Sequence, residues 1–223
     1  MSQEWEELIQ QLVRSGILRS PQVIEALQRV PREPFLPENA KASAAVDCPL
    51  SIGSGQTASA PHMVSIMDEA LELKVGHKVL EVGGGSGWHA STIAEIVAPS
   101  DIPKEKWGHV YTIERIAELA AFANENITKA GYGDRVTIIH QDGTMGYPEE
   151  APYDRILVAA AGPEAPRPLI EQLRDGGVLL VPVGGPQFYQ SLIRIRKKDG
   201  KTFEENLGGV AFVPLIGKHG FQP

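Results

Sequence analysis

Apolar positions in the first 30 residues recur at helical spacing. Trp5, Leu8, Ile9, Leu12 and Val13 form one stripe, and Val23, Ile24, Leu27 and Val30 form a second. Gly16 is placed to stop the first helix. Ser20-Pro21 is placed to start the second, with a hydroxyl cap and then proline at the first helical position. Pro31, Pro34 and Pro37 forbid further helix and mark a connector. Residues 38–58 carry no sustained period and read as a loop. Helical spacing returns after Pro61, through Met63, Val64, Met67 and Leu71.

From Lys78 onward, short apolar runs alternate with helical stretches. The pattern predicts strands over 79–82, 110–113, 136–139, 156–159 and 178–183. Helices follow the first strand (Ile93, Ile96, Val97), the second (Leu119, Ala120, Ala123, Ile127) and the fourth (Leu169, Ile170, Leu173), the last stopped by Gly176-Gly177. Two more strands are predicted over 191–196 and 210–213. The turn signal Lys198-Asp199-Gly200-Lys201 leaves no room for a helix between them, so they pair antiparallel at a sheet edge. Strands this apolar need cover on both faces. The expected fold is α/β, a doubly wound, mostly parallel seven-stranded sheet with helices on both faces and an N-terminal helical extension. One domain is expected over 1–223: an extension and substrate loop over 1–58, a ligand-binding α/β core over 59–190, and edge strands with an enclosing tail over 191–223.

Composition narrows the function classes. A net charge of −7, from 28 acids against 21 bases, argues against a sequence-independent grip on nucleic acid. The one basic run, Arg194, Arg196, Lys197 and Lys198, reads as a solvated strand end. A single cysteine, Cys48, excludes an internal disulfide and a cysteine-ligated zinc. The six histidines show no HxxxH or HxH pairing, so no metal is expected. The acidic opening Met-Ser-Gln-Glu-Trp-Glu-Glu is unlike a secretory leader, and no apolar run is long enough to span a bilayer. A cytoplasmic monomer without membrane or nucleic-acid partners is expected.

The sharpest chemical feature is Glu81-Val82-Gly83-Gly84-Gly85-Ser86-Gly87, where a buried strand runs into glycines and then a helix. Such a turn lets backbone amides approach a ligand beyond the carboxyl end of the strand. Two ligand classes compete. Gly85-Ser86-Gly87-Trp88-His89-Ala90 fits a dinucleotide fingerprint, but two residues late. Glu81, Gly83, Gly85 and Gly87 fit the turn of nucleoside-sulfonium enzymes in frame. A carboxylate inside the strand suits a ligand ammonium group and repels a pyrophosphate. Glu114 ends the second strand, where it can accept ribose hydroxyls, and Asp142 ends the third, where it can accept an adenine amino hydrogen. Three strand-end carboxylates around one cationic nucleoside point to S-adenosylmethionine. The loop Ala159-Ala160-Ala161-Gly162-Pro163 lacks the Asn/Asp-Pro-Pro-aromatic sequence of base-amine methylases. The segment Gly55-Gln56-Thr57-Ala58-Ser59-Ala60-Pro61-His62-Met63 joins two hydroxyls to a helix start, a receptor suited to a carboxylate.

With these residues in place, the chain resembles the protein-L-isoaspartate (D-aspartate) O-methyltransferase family. The resemblance rests on the run from Pro49 to Met63, on Val30-Pro31-Arg32-Glu33-Pro34-Phe35, on the run from Gly146 to Asp154 and on Val210-Ala211-Phe212-Val213-Pro214-Leu215. It implies the Rossmann-like class I methyltransferase fold and methyl transfer from S-adenosylmethionine, leaving S-adenosylhomocysteine. The implied acceptor is the free carboxylate of L-isoaspartyl or D-aspartyl residues in damaged proteins and peptides. It implies catalytic roles for Ser59 and Thr57. It implies cofactor contacts at Gln56, His62, Glu81, Gly83, Gly85, Gly87, Glu114, Arg115, Asp142 and Gly143, and substrate contacts at Ala58, Ala60, Val213, Pro214 and Leu215. Three positions depart from the family pattern: Gly84 where Thr or Ser is usual, His89 where Asn, Gln or a small residue is common, and Gln141 in place of Gly. The insertion from Pro99 to Trp107 is longer than in short bacterial members.

Overall fold

The computed structural model describes residues 2–186 and 189–222. Two amphipathic helices open the chain, α1 (Gln3–Arg14) and α2 (Pro21–Arg29). Gly16 does stop α1, at φ 74°. Ser20 does not cap α2 with its side chain. Its hydroxyl donates instead to Glu69, 2.6 Å away, and so ties the helix start to the core. Residues 38–58 hold more structure than their pattern predicts: a 3-10 turn over Glu38–Ser43 and a tight hairpin of β1 (Leu50–Gly53) and β2 (Gln56–Ala58).

The core alternates α3 (Pro61–Leu71), β3 (Lys78–Val82), α4 (Trp88–Val97), β4 (His109–Glu114), α5 (Ala117–Lys129), β5 (Val136–His140), β6 (Tyr153–Val158), α6 (Arg167–Gln172) and β7 (Leu173–Gly184). An antiparallel ribbon of β8 (Gln190–Lys198) and β9 (Lys201–Val210) follows. The seven-stranded sheet runs β5-β4-β3-β6-β7-β8-β9. Its first four pairings are parallel and its last two antiparallel. The doubly wound, mostly parallel reading therefore holds.

Two boundaries differ from the pattern. Gly176-Gly177 lies inside β7 and does not end α6; β7 begins at Leu173, the residue assigned to the helix stripe. The last strand is Lys201–Val210, not 210–213. It is an exposed edge strand with little apolar alternation, whereas the apolar Val213 leaves the sheet to dock on another loop.

Side-chain alternation divides the core. Val79, Leu157 and Leu180 point to one face, with Val64, Met67, Ile93 and the N-terminal helices; Leu80, Val82, Ile156, Val158, Leu179 and Val181 point to the other, with Leu169. All ten residues of α4 are buried. The sheet covers one side of that helix and the extension the other: Trp5 meets Trp88 edge-on at 5.8 Å, and the Trp88 indole donates to Val30 O at 3.0 Å. Trp88 is thus a packing residue of the extension.

The insertion is stapled down by Trp107, whose indole donates to Pro99 O at 2.9 Å and whose ring lies under Arg135. The basic run is held within the chain. Arg194 pairs with Glu205, Arg196 with Glu72, and Lys197 donates to the carbonyls of Ile170 and Leu173. Among the described residues, no helix is long and apolar enough to cross a membrane.

Candidate active site

The chain runs from β3 outward to β4 and β5, then returns to β6 on the other side of β3. A crevice opens at that switch, beyond the carboxyl ends of the strands. Three adjoining cavities fill it. The first, about 560 Å³, is a groove lined by Pro49, Ser59, His62, Met63, Gln190 and Phe212 among others. The second, about 110 Å³, lies among Gln56, Gly83, Gly85, Glu114, Arg115, Gly143 and the tail Val213, Pro214, Leu215 and Ile216. The third, about 40 Å³, lies over Glu81 and His89 beside Ala58, Ser59 and the glycine turn. Thr57 and Ala159 line all three.

The glycine turn explains the second cavity. Gly83 and Gly85 have φ of 97° and 54°, left-handed backbone that glycine adopts without strain. A Cβ on Gly83 would sit 3.4 Å from the Ala159 side chain, across the crevice floor. Gly87 also has positive φ, but its role is packing. A Cβ there would come within 2.8 Å of Ile127, and Gly87 lines none of the three cavities. Gly84 has a local explanation too. A Cβ would lie 2.7 Å from the Thr112 hydroxyl, which donates to Glu81 at 2.5 Å. Glycine at 84 leaves room for that hydroxyl.

The strand-end carboxylates have unequal fates. Glu114 accepts the N–H groups of Gly85 and Ile116, both at 2.9 Å, so the carboxylate is locked at the cavity wall with lone pairs to spare. Glu81 is fully buried. Its Oε2 accepts from Thr112, and its Oε1 has no hydrogen-bond partner among the described residues. Asp142 has internal donors on both oxygens. One oxygen accepts the N–H and hydroxyl of Thr144, at 2.9 and 2.7 Å, and the other the N–H of Lys218 at 2.8 Å. Burial works to raise its pKa, but these donors hold it below the usual range. Asp142 fastens the tail, and its neighbour Gly143 lines the cavity.

The hydroxyl segment is also rearranged. The α3 N-terminus is not open to an incoming anion. Asp47 Oδ1 accepts the His62 N–H and meets His62 Nδ1, both at 2.9 Å. His62 lines the large groove and neither smaller cavity. Ser59 and Thr57 remain as hydroxyl donors at the junction of groove and cavities.

Two residues that sequence reasoning passed over hold this arrangement. Arg32 is fully buried, and its Nη2 donates to the carbonyls of Cys48 (3.1 Å), Ala58 (2.9 Å) and Ser59 (2.9 Å). Burial pulls its pKa down to about 10. Gln190 grips Phe212 from both sides, its Oε1 accepting the N–H at 2.6 Å and its Nε2 donating to the carbonyl at 3.0 Å. The tail then docks on the loop after β6, with Ala161 N–H donating to Val213 O and Leu215 N–H to Ala161 O. Arg32 lies within the Val30–Phe35 motif, but only the fold shows what its guanidinium reaches.

The donor set fits S-adenosylmethionine. Glu81 offers an unpartnered buried oxygen to a cation, Glu114 a fixed carboxylate to a ribose, and Ile113, Ile116, Leu215 and Ile216 apolar walls to a base. Among the described residues, no three His, Cys, Asp or Glu side chains converge as a metal site.

Comparison with known proteins agrees with the geometry. Residues 3–220 match the model of the family described as protein-L-isoaspartate(D-aspartate) O-methyltransferase. A protein-L-isoaspartate O-methyltransferase of Hyperthermus butylicus is 54% identical over 96% of this chain and 89% of its own. One of Korarchaeum cryptofilum is 52% identical over 96% and 98%. A crystal structure from Plasmodium falciparum, described as such an enzyme in complex with S-adenosyl-L-homocysteine, superposes with a TM-score of 0.84. It is 28% identical and covers 96% of this chain and 99% of that one. The chain belongs to the protein-L-isoaspartate (D-aspartate) O-methyltransferase family.

Proposed function

We propose that this enzyme transfers a methyl group from S-adenosylmethionine to the free carboxylate of isoaspartyl residues in damaged proteins and peptides. The observation that carries the proposal is the junction at Thr57, Ser59 and Ala159, where a groove of about 560 Å³ meets the cavities suited to the cofactor. Family membership supplies the substrate class.

The bound cofactor supplies an electrophilic sulfonium methyl; the chain supplies position. The free group of an isoaspartyl residue is its α-carboxyl, with a free pKa of about 3.5, already ionised at neutral pH, so no general base is needed. Asp47 occupies the α3 N-terminus, which directs an incoming carboxylate to the Ser59 and Thr57 hydroxyls. Ser59 donates a hydrogen bond and keeps its proton out of the chemistry. Gln190 and the docked tail hold Val213 between groove and cofactor cavity, which excludes water. Orientation of this kind is worth effective molarities on the order of 10⁵ M. We infer a cytoplasmic monomer without a membrane partner, and its acidic charge and internally paired basic run argue against a nucleic-acid partner.

Two peptides of one sequence, one with isoaspartate and one with aspartate, test the activity with labelled methyl donor. Label is expected in base-labile ester on the isoaspartyl peptide only. Equal labelling of both, or none with the cofactor bound, overturns it.

A further inference from the structure

Beneath the glycine turn lies a cluster the mechanism does not use. His89 Nε2 stands 3.0 Å from Asp68 Oδ1, and His89 Nδ1 stands 3.8 Å from Glu81 Oε1. All three side chains are buried. Asp68 Oδ2 and Glu81 Oε1 have no hydrogen-bond partner among the described residues. One imidazole therefore stands between two buried carboxylates, and the unpartnered oxygen of one belongs to the residue that borders the 40 Å³ cavity. That volume suffices for an ammonium group or a water bridging to one.

The surrounding charge is one-sided. Asp68 and Glu69 approach from α3, Glu81 from β3 and Glu114 from β4; His89, on α4, is the cluster's one cationic group. Two carboxylates and one imidazolium carry a charge of −1, and a second proton neutralises the cluster. A buried cluster favours the neutral form unless a cation arrives from outside.

We propose that a proton and the ammonium group of the cofactor compete for Glu81, and that His89, clamped by Asp68, is the positioning residue that sets the pH at which the ammonium wins. The inference rests on the cofactor site described above. In the free protein below neutrality, Glu81 carries a proton; on binding, that proton leaves to solvent and the ammonium takes its place. Supporting directions agree. Burial pushes Glu81 up to about 7, against the lowering pull of His89 and the Thr112 hydroxyl. Burial works to lower the His89 pKa, but the two carboxylates outweigh it and hold it above its ordinary value. A neutral side chain at 89 removes the cation that keeps Glu81 ionised and moves its transition upward.

The test uses S-adenosylhomocysteine, which carries the ammonium, and 5′-methylthioadenosine, which lacks it. Isothermal titration between pH 5.5 and 7, in buffers of different ionisation enthalpy, reads protons released on binding. The intact enzyme is expected to release close to one proton with S-adenosylhomocysteine at the acid end, with the dissociation constant rising roughly tenfold for each pH unit below the transition. With 5′-methylthioadenosine it should release none. In His89→Gln the release should persist to higher pH, whereas in Asp68→Asn, where His89 and Glu81 alone already balance, it should retreat to lower pH. Equal release with both ligands, or pH-independent affinity of the intact enzyme, overturns the proposal whether or not the variants fold. A uniform loss of affinity in His89→Gln, with an unmoved pH profile, reduces His89 to packing and also overturns it. Failure of either ligand to bind refutes the cofactor site itself.

Discussion

Arg32→Lys is the sharpest single test of how the substrate segment is held. The guanidinium is fully buried, has no carboxylate partner among the described residues, and donates to Val46 O at 3.4 Å as well as to Cys48, Ala58 and Ser59. It also lies 5.3 Å over the Trp88 ring. It therefore binds the connector before β1 to the end of β2 and to the core. Lysine brings one nitrogen in place of a planar fork and reaches less far. It cannot span both Val46 and the Ala58–Ser59 pair. Two charge-assisted hydrogen bonds lost at about 1.5 kcal/mol each give about 3 kcal/mol. At roughly 2–4 °C per kcal/mol for a chain this size, the melting temperature should fall by about 6–12 °C. The functional effect should be selective. The freed Ser59 carbonyl lets the hydroxyl wander, so kcat at saturating isoaspartyl peptide should fall about tenfold or more. The affinity for S-adenosylhomocysteine should change little, because Glu81, Glu114 and the glycine turn do not touch Arg32. Thermal denaturation, steady-state kinetics and calorimetry on one preparation read all three. A variant that melts and turns over like the parent refutes the tie; equal losses in kcat and cofactor affinity refute its selectivity.

Ser59→Ala removes one hydrogen bond to a charged oxygen, worth about 1.5–3 kcal/mol, so turnover should drop on the order of 10- to 100-fold with cofactor affinity intact; unchanged turnover sinks the orienting role. Glu95 accepts from Arg29, Ser100, Tyr132 and Arg135, and these donors, against the opposing effect of burial, hold its pKa below the ordinary 4.5. A depressed carboxylate gives stability that is complete above its unfolded pKa and drains as pH falls through the folded one. Glu95→Gln should cost about 3–5 kcal/mol at pH 7 and flatten the acid limb of stability against pH, read by urea denaturation; an unchanged limb contradicts the network.

Much of the fold was legible because β3, β4, β6 and β7 are buried on both faces, and a run such as Val79-Leu80-Glu81-Val82 has no other stable place. The edge strand Lys201–Val210 was not, because a strand exposed along its length has no apolar period to read. Its apolar sequel at 210–213 drew the assignment instead, although Val213 serves the site and not the sheet. The convergence of Glu81, Gly83, Gly85, Glu114, Ser59 and Thr57 on one crevice was legible because they flank strand ends or carry hydroxyls in a loop. The internal partners of His62 and Asp142 were not legible, for one cause. Sequence position locates a side chain but not the competitor that reaches it first, here Asp47 for His62 and the Thr144 and Lys218 amides for Asp142.

Glu81 and Glu95 show what separates a functional buried carboxylate from a structural one. Glu95 is met by two arginines, and its depressed pKa adds stability as pH rises through the acid range. Glu81 is met by one hydroxyl and a more distant imidazole, and its pKa is raised to about 7. An acid raised on folding holds its proton where the unfolded chain has lost it, so stability falls as pH rises through that window. In the free protein Glu81 is therefore a cost borne by the rest of the fold. A ligand that brings its own cation removes that cost in the folded state alone, and the relief appears as affinity. Completing the donors around Glu81, as they are completed around Glu95, would stabilise the free protein and weaken its hold on a cationic cofactor. On the proposed reading, the orphaned oxygen is the part of the core left unfinished for the ligand.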